Sequence, residues 1–451
     1  MPCLHSPRVL GRAIGALAAL VVGTGVPTSR ASAQGPQPQT DGEVVAITGG
    51  TVYPVSGPRI ENGTVLIRAG RIVAVGRDVA IPAGARRIDA TGKWVTPGLV
   101  NAATQLGVVE VGAVPETRDV SARGRDAIAA AFTVWDGLNP ASVHLASARN
   151  DGVTTVGVIP AGGLVAGQAA MVDLVAGTAT DMVRRAPVAM VATMTPPGGG
   201  GDGIPASRGE LQVRLRELLA DVRAYRQNRA AYERNASRTL AASRADLEAL
   251  VPVLDGRLPM LIEADRASDI DAALRLAREY GIRLIVGGGA EAWQVADRLR
   301  AAGVPVLTGA MNSIPASFAS LGSRQENVAL LRRAGVAVVV IGNAGGGEET
   351  FNVRNVRYEA GNAVAYGASW DDALRAVTLT PAEVFGVADR IGSLAPGKDA
   401  NVVVWSGDPF EFRTTADEVL IRGRSVREPS RQDLLMERYR RLPGAGYRQP
   451  E

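Results

Sequence analysis

Two carboxylates stand two residues apart in the stretch MLIEADR: Glu263 and Asp265, directly after a short apolar run. With Gln105, and with Glu348 or Glu349 further along, they form a set of oxygen donors suited to Mg²⁺ or Ca²⁺. Zinc-type activation of water asks for imidazole or thiolate instead. The chain has two histidines, His5 and His144, and one cysteine, Cys3. His5 and Cys3 fall in an N-terminal segment expected to be removed, so the mature chain has neither disulfide nor thiol chemistry. His144, in NPASVHLASARNDG, reads as a structural residue on an outer helix. No serine has a histidine within plausible reach, which excludes a hydrolase triad. GGGAE is too short for a dinucleotide fingerprint. PAGGLVAGQ could cradle an anion with backbone N–H groups, but it reads more simply as a tight loop after a strand.

The elements that must position these residues form two patterns. Short β-type runs occupy residues 44–47, 51–55, 64–67 and 71–75, the last two flanking a hairpin turn at Arg68-Ala69-Gly70. Residues 401–405 and 418–421 repeat that character near the other end. Between them, apolar runs at 153–159, 188–193, 260–263, 284–286, 304–308 and 336–341 alternate with helical segments, as β/α units on a parallel sheet do. Ser268 with Asp271 and Ser369 with Asp372 look like helix starts, and Gly281, Gly303 and Gly335 like helix ends. The expected fold is α/β: a (β/α)8 TIM-like barrel with a composite β-sandwich built from both chain ends.

The rhythm breaks at about residues 195–257. A glycine-rich loop, PPGGGGDG, precedes Leu211, Leu215, Leu218, Val222 and Tyr225 at helical spacing, with arginines on the other faces. This segment reads as a lid or partner-docking helix, or as an insertion packed on its own domain with a solvated arginine face.

Forty-nine basic residues against 45 acidic ones give a formal charge of +4, and no aromatic-interleaved basic patch is present, so nucleic-acid binding has no support. Arg8 and Arg12, the apolar run 13–26 and Ala31-Ser32-Ala33 make the three parts of a secretory signal cleaved before Gln34. Its apolar run is too short to span a bilayer comfortably. The expected location is exported, periplasmic or extracellular, with no stable membrane span after cleavage. The expected organisation is a signal peptide (1–33), a linker (34–42), the first part of the sandwich (43–96), the barrel (97–390), the returning part of the sandwich (391–425) and a tail (426–451).

GTVLIRAGRIVAVG, followed by IDATGKWVTPGLVNA, resembles the opening of the amidohydrolase superfamily, closest to secreted imidazolonepropionase-like members. TLTPAEVFGVADRIGSLAPGKDANVVVWSGDPFE resembles the family's last helix and returning strand, and DGVTTVGVIPAGGLVAGQ a barrel strand with its loop. The resemblance implies a hydrolase of amide-like or ring C–N bonds, assisted by Zn or another divalent metal. It also implies where the ligands belong. The first-strand His-x-His falls on Ala103-Thr104-Gln105, and the fifth-strand histidine on Glu263 or Asp265. The sixth-strand histidine falls near Gly288, and the general-base aspartate on Asn343. Neither Lys93 nor Lys398 lies where a bridging lysine would sit.

Every such position therefore departs from the family pattern. The expectation is an exported pseudoenzyme with no resident metal or cofactor and a ligand pocket around Ala103, Gln105, Glu263, Gly288 and Asn343. It would bind a small molecule, or pair with itself or with an active relative. One alternative is an atypical hydrolase of non-peptide or dipeptide C–N bonds, with oxygen ligands and with Glu263 or Asp265 as the catalytic candidates. Another is an envelope binding or structural module that docks through its arginine-rich helix.

Overall fold

The computed structural model describes residues 43–122, 127–196, 207–311, 315, 317–342 and 352–440. Asn343, Glu348 and Glu349 lie outside these residues, as do the expected signal segment, its linker and most of the PPGGGGDG stretch. Five strands open the described chain: β1 (Val44–Val52), β2 (Ile60–Arg68), β3 (Arg71–Gly76), β4 (Arg86–Asp89) and β5 (Trp94–Pro97). Eight follow: β6 (Leu99–Thr104), β7 (Val153–Val158), β8 (Val165–Asp173), β9 (Val183–Thr193), β10 (Met260–Ala264), β11 (Leu284–Gly288), β12 (Val306–Thr308) and β13 (Val338–Val340). Three close the set: β14 (Val402–Trp405), β15 (Ala416–Ile421) and β16 (Arg424–Ser425).

Both chain ends share one sheet, in the order β16-β15-β14-β5-β1-β2-β3 with β4 also on β1. Arg68-Ala69-Gly70 is its β2–β3 turn, and Ala69 and Gly70 both have positive φ, as such a tight reversal requires. The expected sandwich is one continuous sheet that curls on itself. Ile72 donates its N–H to Lys398 O and accepts from Gly397 N, at 2.9 and 2.8 Å. Val45, Ile47, Val65, Ile67, Val95 and Val402 fill the interior of the curl.

The middle strands form the second sheet, in the order β6 to β13. This is the expected barrel with one strand reversed, because β8 pairs antiparallel with both β7 and β9. The segment read as a loop after β7 is thus a turn at Gly162 and Gly163, both at positive φ, followed by a nine-residue strand. Strands β9 to β13 pair parallel in sequence. They are almost wholly apolar because helices cover one face and the lumen the other. The ring closes from β13 to β6 through side chains rather than a ladder. Buried Asn101 of β6 donates to Val353 O at 3.1 Å and accepts from Gly342 N at 3.4 Å.

Three helices, Arg208–Gln227, Arg229–Glu233 and Arg244–Leu254, interrupt the barrel between β9 and β10. The first buries Leu211, Leu215, Leu218, Val222 and Tyr225, the stripe its sequence spacing marks out. Three of its arginines pair with acids on neighbouring segments: Arg208 with Asp269, Arg216 with Glu279, Arg226 with Asp255.

Helix punctuation follows the sequence at Ser369, whose side chain accepts from Asp372 N, and at Gly281, which ends its helix at φ 72°. Ser268 is different. The helix begins before it, at Ala267–Tyr280, and Arg266 at its N-cap makes no side-chain cap. The cap comes from the next loop, where Glu291 accepts Ala267 N at 3.0 Å. A carboxylate at a helix N-terminus is favoured by the helix dipole as well as by the hydrogen bond.

Candidate functional site at the barrel mouth

Strand alternation decides which side chains enter the lumen. Val100, Ala102, Val191, Leu261, Ile285, Leu307 and Val339 form the inner cluster, whereas Met260, Ile262, Val286, Val306 and Val338 pack outward. Two residues beyond Leu261, Glu263 is therefore in the inward register at the C-terminal end of β10, and it is exposed there. In the ladder it stands between Thr193 of β9 and Gly287 of β11. Ala103 packs beside the same inner cluster. Among the described residues, the uppermost layer of the lumen thus holds one carboxylate among small residues, at the end of the barrel where this architecture places its chemistry.

Asp265 is held differently. The chain leaves β10 at Ala264, and Asp265 turns onto the following loop, where its Oδ1 accepts Ala290 N at 3.3 Å and its carbonyl accepts Glu291 N at 2.8 Å. Burial pushes its carboxyl above the usual range; the Ala290 hydrogen bond opposes that, while Asp269 and Glu291 add repulsion. Glu291 is engaged at both oxygens, by Ala267 N and Gly322 N.

Gly288, expected to line the pocket, lies one residue out of the inward register, which Gly287 occupies beside Glu263. At φ +80°, a Cβ there would meet Asp265 Oδ1 at 2.5 Å, so this loop requires glycine. Gln105 is half-buried just past β6, and its side-chain amide has no partner among the described residues. His144 begins the helix His144–Asn150, and its Nε2 lies 2.9 Å from Glu110 O. Among the described residues no group of three His, Cys, Asp or Glu side chains could hold a metal ion.

Two positioning residues escape the sequence reading. Asn101 closes the barrel seam, and its signal is a lone amide in the apolar run of β6. Glu359, 2% exposed, accepts Ala310 N at 2.5 Å and Met311 N at 2.7 Å. It thereby pins the loop after β12 to the helix Val356–Ala365, and no sequence spacing announces it.

The amidohydrolase family model matches residues 262–427. An amidohydrolase structure from Thermotoga maritima superposes with a TM-score of 0.75 at 26% identity, covering 85% of this chain and 99% of that one. The chain belongs to the amidohydrolase superfamily. Imidazolonepropionase from Acidiphilium cryptum is 27% identical over 376 residues, 78% of this chain and 89% of that protein. A 5-methylthioadenosine/S-adenosylhomocysteine deaminase from Symbiobacterium thermophilum matches more closely but locally, 54% identical over 63 residues. The chain spans 14% of that deaminase's length. The superfamily is one of hydrolases of C–N bonds, carried here on a nearly closed eight-stranded barrel with a separate β domain.

Proposed function

We propose that this amidohydrolase is an exported pseudoenzyme that binds a small ligand at its barrel mouth, alone or as the partner of an active relative. The observation that carries the reading is the donor set of the uppermost lumen layer. A family-type zinc centre needs about three protein ligands of imidazole, thiolate or carboxylate type. Ala103 has no donor atom, Gln105 offers a neutral amide, and Gly287 and Gly288 offer only backbone. Asp265 faces the Ala290 amide, and that leaves Glu263 as the one carboxylate of the inward register among the described residues. The family's metal does not fit the described residues of this layer. What such a mouth can supply is recognition of a ligand rather than activation of water.

Export follows from the signal-like segment that ends at Ala33. No helix among the described residues is long and apolar enough to cross a membrane. The atypical hydrolase remains the second reading, favoured by the raised carboxyl of Asp265 next to Glu291, since a protonated acid can donate to a leaving group. Elemental mass spectrometry of the exported, purified chain tests the proposal. The expected content is less than about a tenth of an equivalent of any divalent metal per chain, with no change in melting temperature on adding a chelator. One tightly held equivalent, or turnover of cyclic amides or dipeptides that Glu263→Gln abolishes, would overturn it.

A further inference from the structure

We propose that the end of the barrel opposite the mouth carries a second binding site, for a small amphiphilic anion: a carboxylate or phosphate head on an apolar body. A cavity of about 950 Å³ opens there, between the helices Ala267–Tyr280 and Ala296–Ala301, where Pro259, Pro305 and Ala337 lead into the strands. That volume lies at the upper end of the range usual for small-molecule sites. Leu274, Ile282, Leu284, Val304 and Val384 give it apolar walls. Arg275, Arg278 and Arg283 stand on it as well, all three exposed.

What marks these arginines is that their neighbourhood has no acid left for them. The helix Ala267–Tyr280 carries three acidic residues, and each is already paired elsewhere: Asp269 with Arg208 at 2.8 Å, Asp271 with Arg298 at 2.5 Å, and Glu279 with Arg216 at 2.9 Å. Glu383, the remaining acid on the cavity, lies 2.7 Å from Arg375. Among the described residues Arg275, Arg278 and Arg283 have no ion-pair partner. Arg275 and Arg278 are three apart on one helix, where like charges repel. A bound anionic head would relieve that repulsion through charge-assisted hydrogen bonds from guanidinium groups, while its apolar body covered Leu274 and Ile282. The site is for binding rather than catalysis, since both carboxylates on it, Asp271 and Glu383, are held in ion pairs and it lies at the N-terminal ends of the strands.

The test titrates the full mature chain with 8-anilinonaphthalene-1-sulfonate, an anion on an apolar body, and follows its fluorescence. The triple variant Arg275→Gln/Arg278→Gln/Arg283→Gln should bind the probe at least about tenfold more weakly. The control Arg234→Gln/Arg333→Gln/Arg413→Gln removes the same charge from exposed positions elsewhere and should stay within about twofold. Decanoate should displace the probe, whereas inorganic phosphate at the same concentration should not. Thermal melts of each variant show that it is folded, and should the triple variant fail to fold, Arg283→Gln alone must still weaken binding. Equal loss in both triples, no saturable binding by the wild type, or displacement by inorganic phosphate as readily as by decanoate would overturn the proposal.

Discussion

Buried carboxylates occupy two regions of this molecule and are treated in opposite ways. Where the barrel meets the β domain, Asp173 is wholly buried and receives Thr155 Oγ1 at 2.8 Å, Arg184 Nε at 2.9 Å and Arg422 Nε at 2.9 Å. Arg184 also reaches Asp399 at 2.8 Å, and Arg390 closes the network on Asp399 from outside. Burial alone would raise the Asp399 carboxyl, yet the hydrogen bonds from Arg390 and Arg184 outweigh it and hold the group below its ordinary range. At the mouth, Asp265 has a single backbone N–H for its carboxylate and two acids for neighbours, and its carboxyl is pushed the other way. An ionised carboxylate removed from water needs a partner. The junction supplies every one, as a permanent joint between two sheets must. The mouth does not, although the same chain had arginines to place there.

The largest effect belongs to the junction. Asp173→Asn leaves Arg184 and Arg422 facing a neutral amide in a dry interface. Removing one member of such a buried pair costs about 3–5 kcal/mol. Denaturant unfolding should show a loss of that order, with the β domain loosening from the barrel first. A loss under about 1 kcal/mol would mean that the network is not what joins the two parts.

An intermediate effect is expected in the loop that supports Asp265. Gly288→Ala forces a side chain onto φ +80° and drives its Cβ to 2.5 Å from Asp265 Oδ1, at a cost of about 1–3 kcal/mol. The double variant with Asp265→Ala should lose less than the sum of the two single changes, because the clash disappears and only the backbone strain remains. Strict additivity would show that the two loops do not touch as described, and the contrast between mouth and junction would lose its geometric basis.

How much of this could be seen in the residues depended on how local the cause was. The runs that become β10 to β13 were legible because burial on both faces demands continuous apolar sequence. The Ser369 cap was legible because its partner lies three residues away. Strand β8 was not, since VAGQAAMVD is rich in alanine and glycine, residues with little strand preference; its place is set by pairing with β7 and β9. The cap on the helix Ala267–Tyr280 was hidden for the same reason, since Glu291 reaches it from 24 residues away. The mouth was half legible. Which donor types the chain lacks can be counted directly. Which carboxylate enters the lumen cannot, because a shift of one residue turns a strand's side chains to the opposite face. That is how Gly288 came to be expected where Gly287 stands; Glu263 and Asp265, two apart, separate because the strand ends between them, at Ala264.

The smallest effect would sharpen the contrast most. Because burial and the nearby Asp269 and Glu291 raise the Asp265 carboxyl, the folded chain keeps that proton to a higher pH than the unfolded chain does. Across that interval the folded state binds more protons, so stability falls as pH rises through it. Asp265→Asn has nothing to titrate there, and its carbonyl oxygen can still accept Ala290 N. Below the ordinary aspartate value of about 3.9 the variant and the parent should melt together. As pH rises through the raised range the variant should become the more stable, and the gap should then level off. At the junction the sign is reversed: the lowered Asp399 carboxyl contributes stability that is present above its unfolded value and is lost as acid protonates it. A melting difference for Asp265→Asn that stays flat with pH, or that favours the parent at neutral pH, would mean that the mouth carboxylate is compensated after all. The two regions would then differ in the identity of their partners rather than in having them.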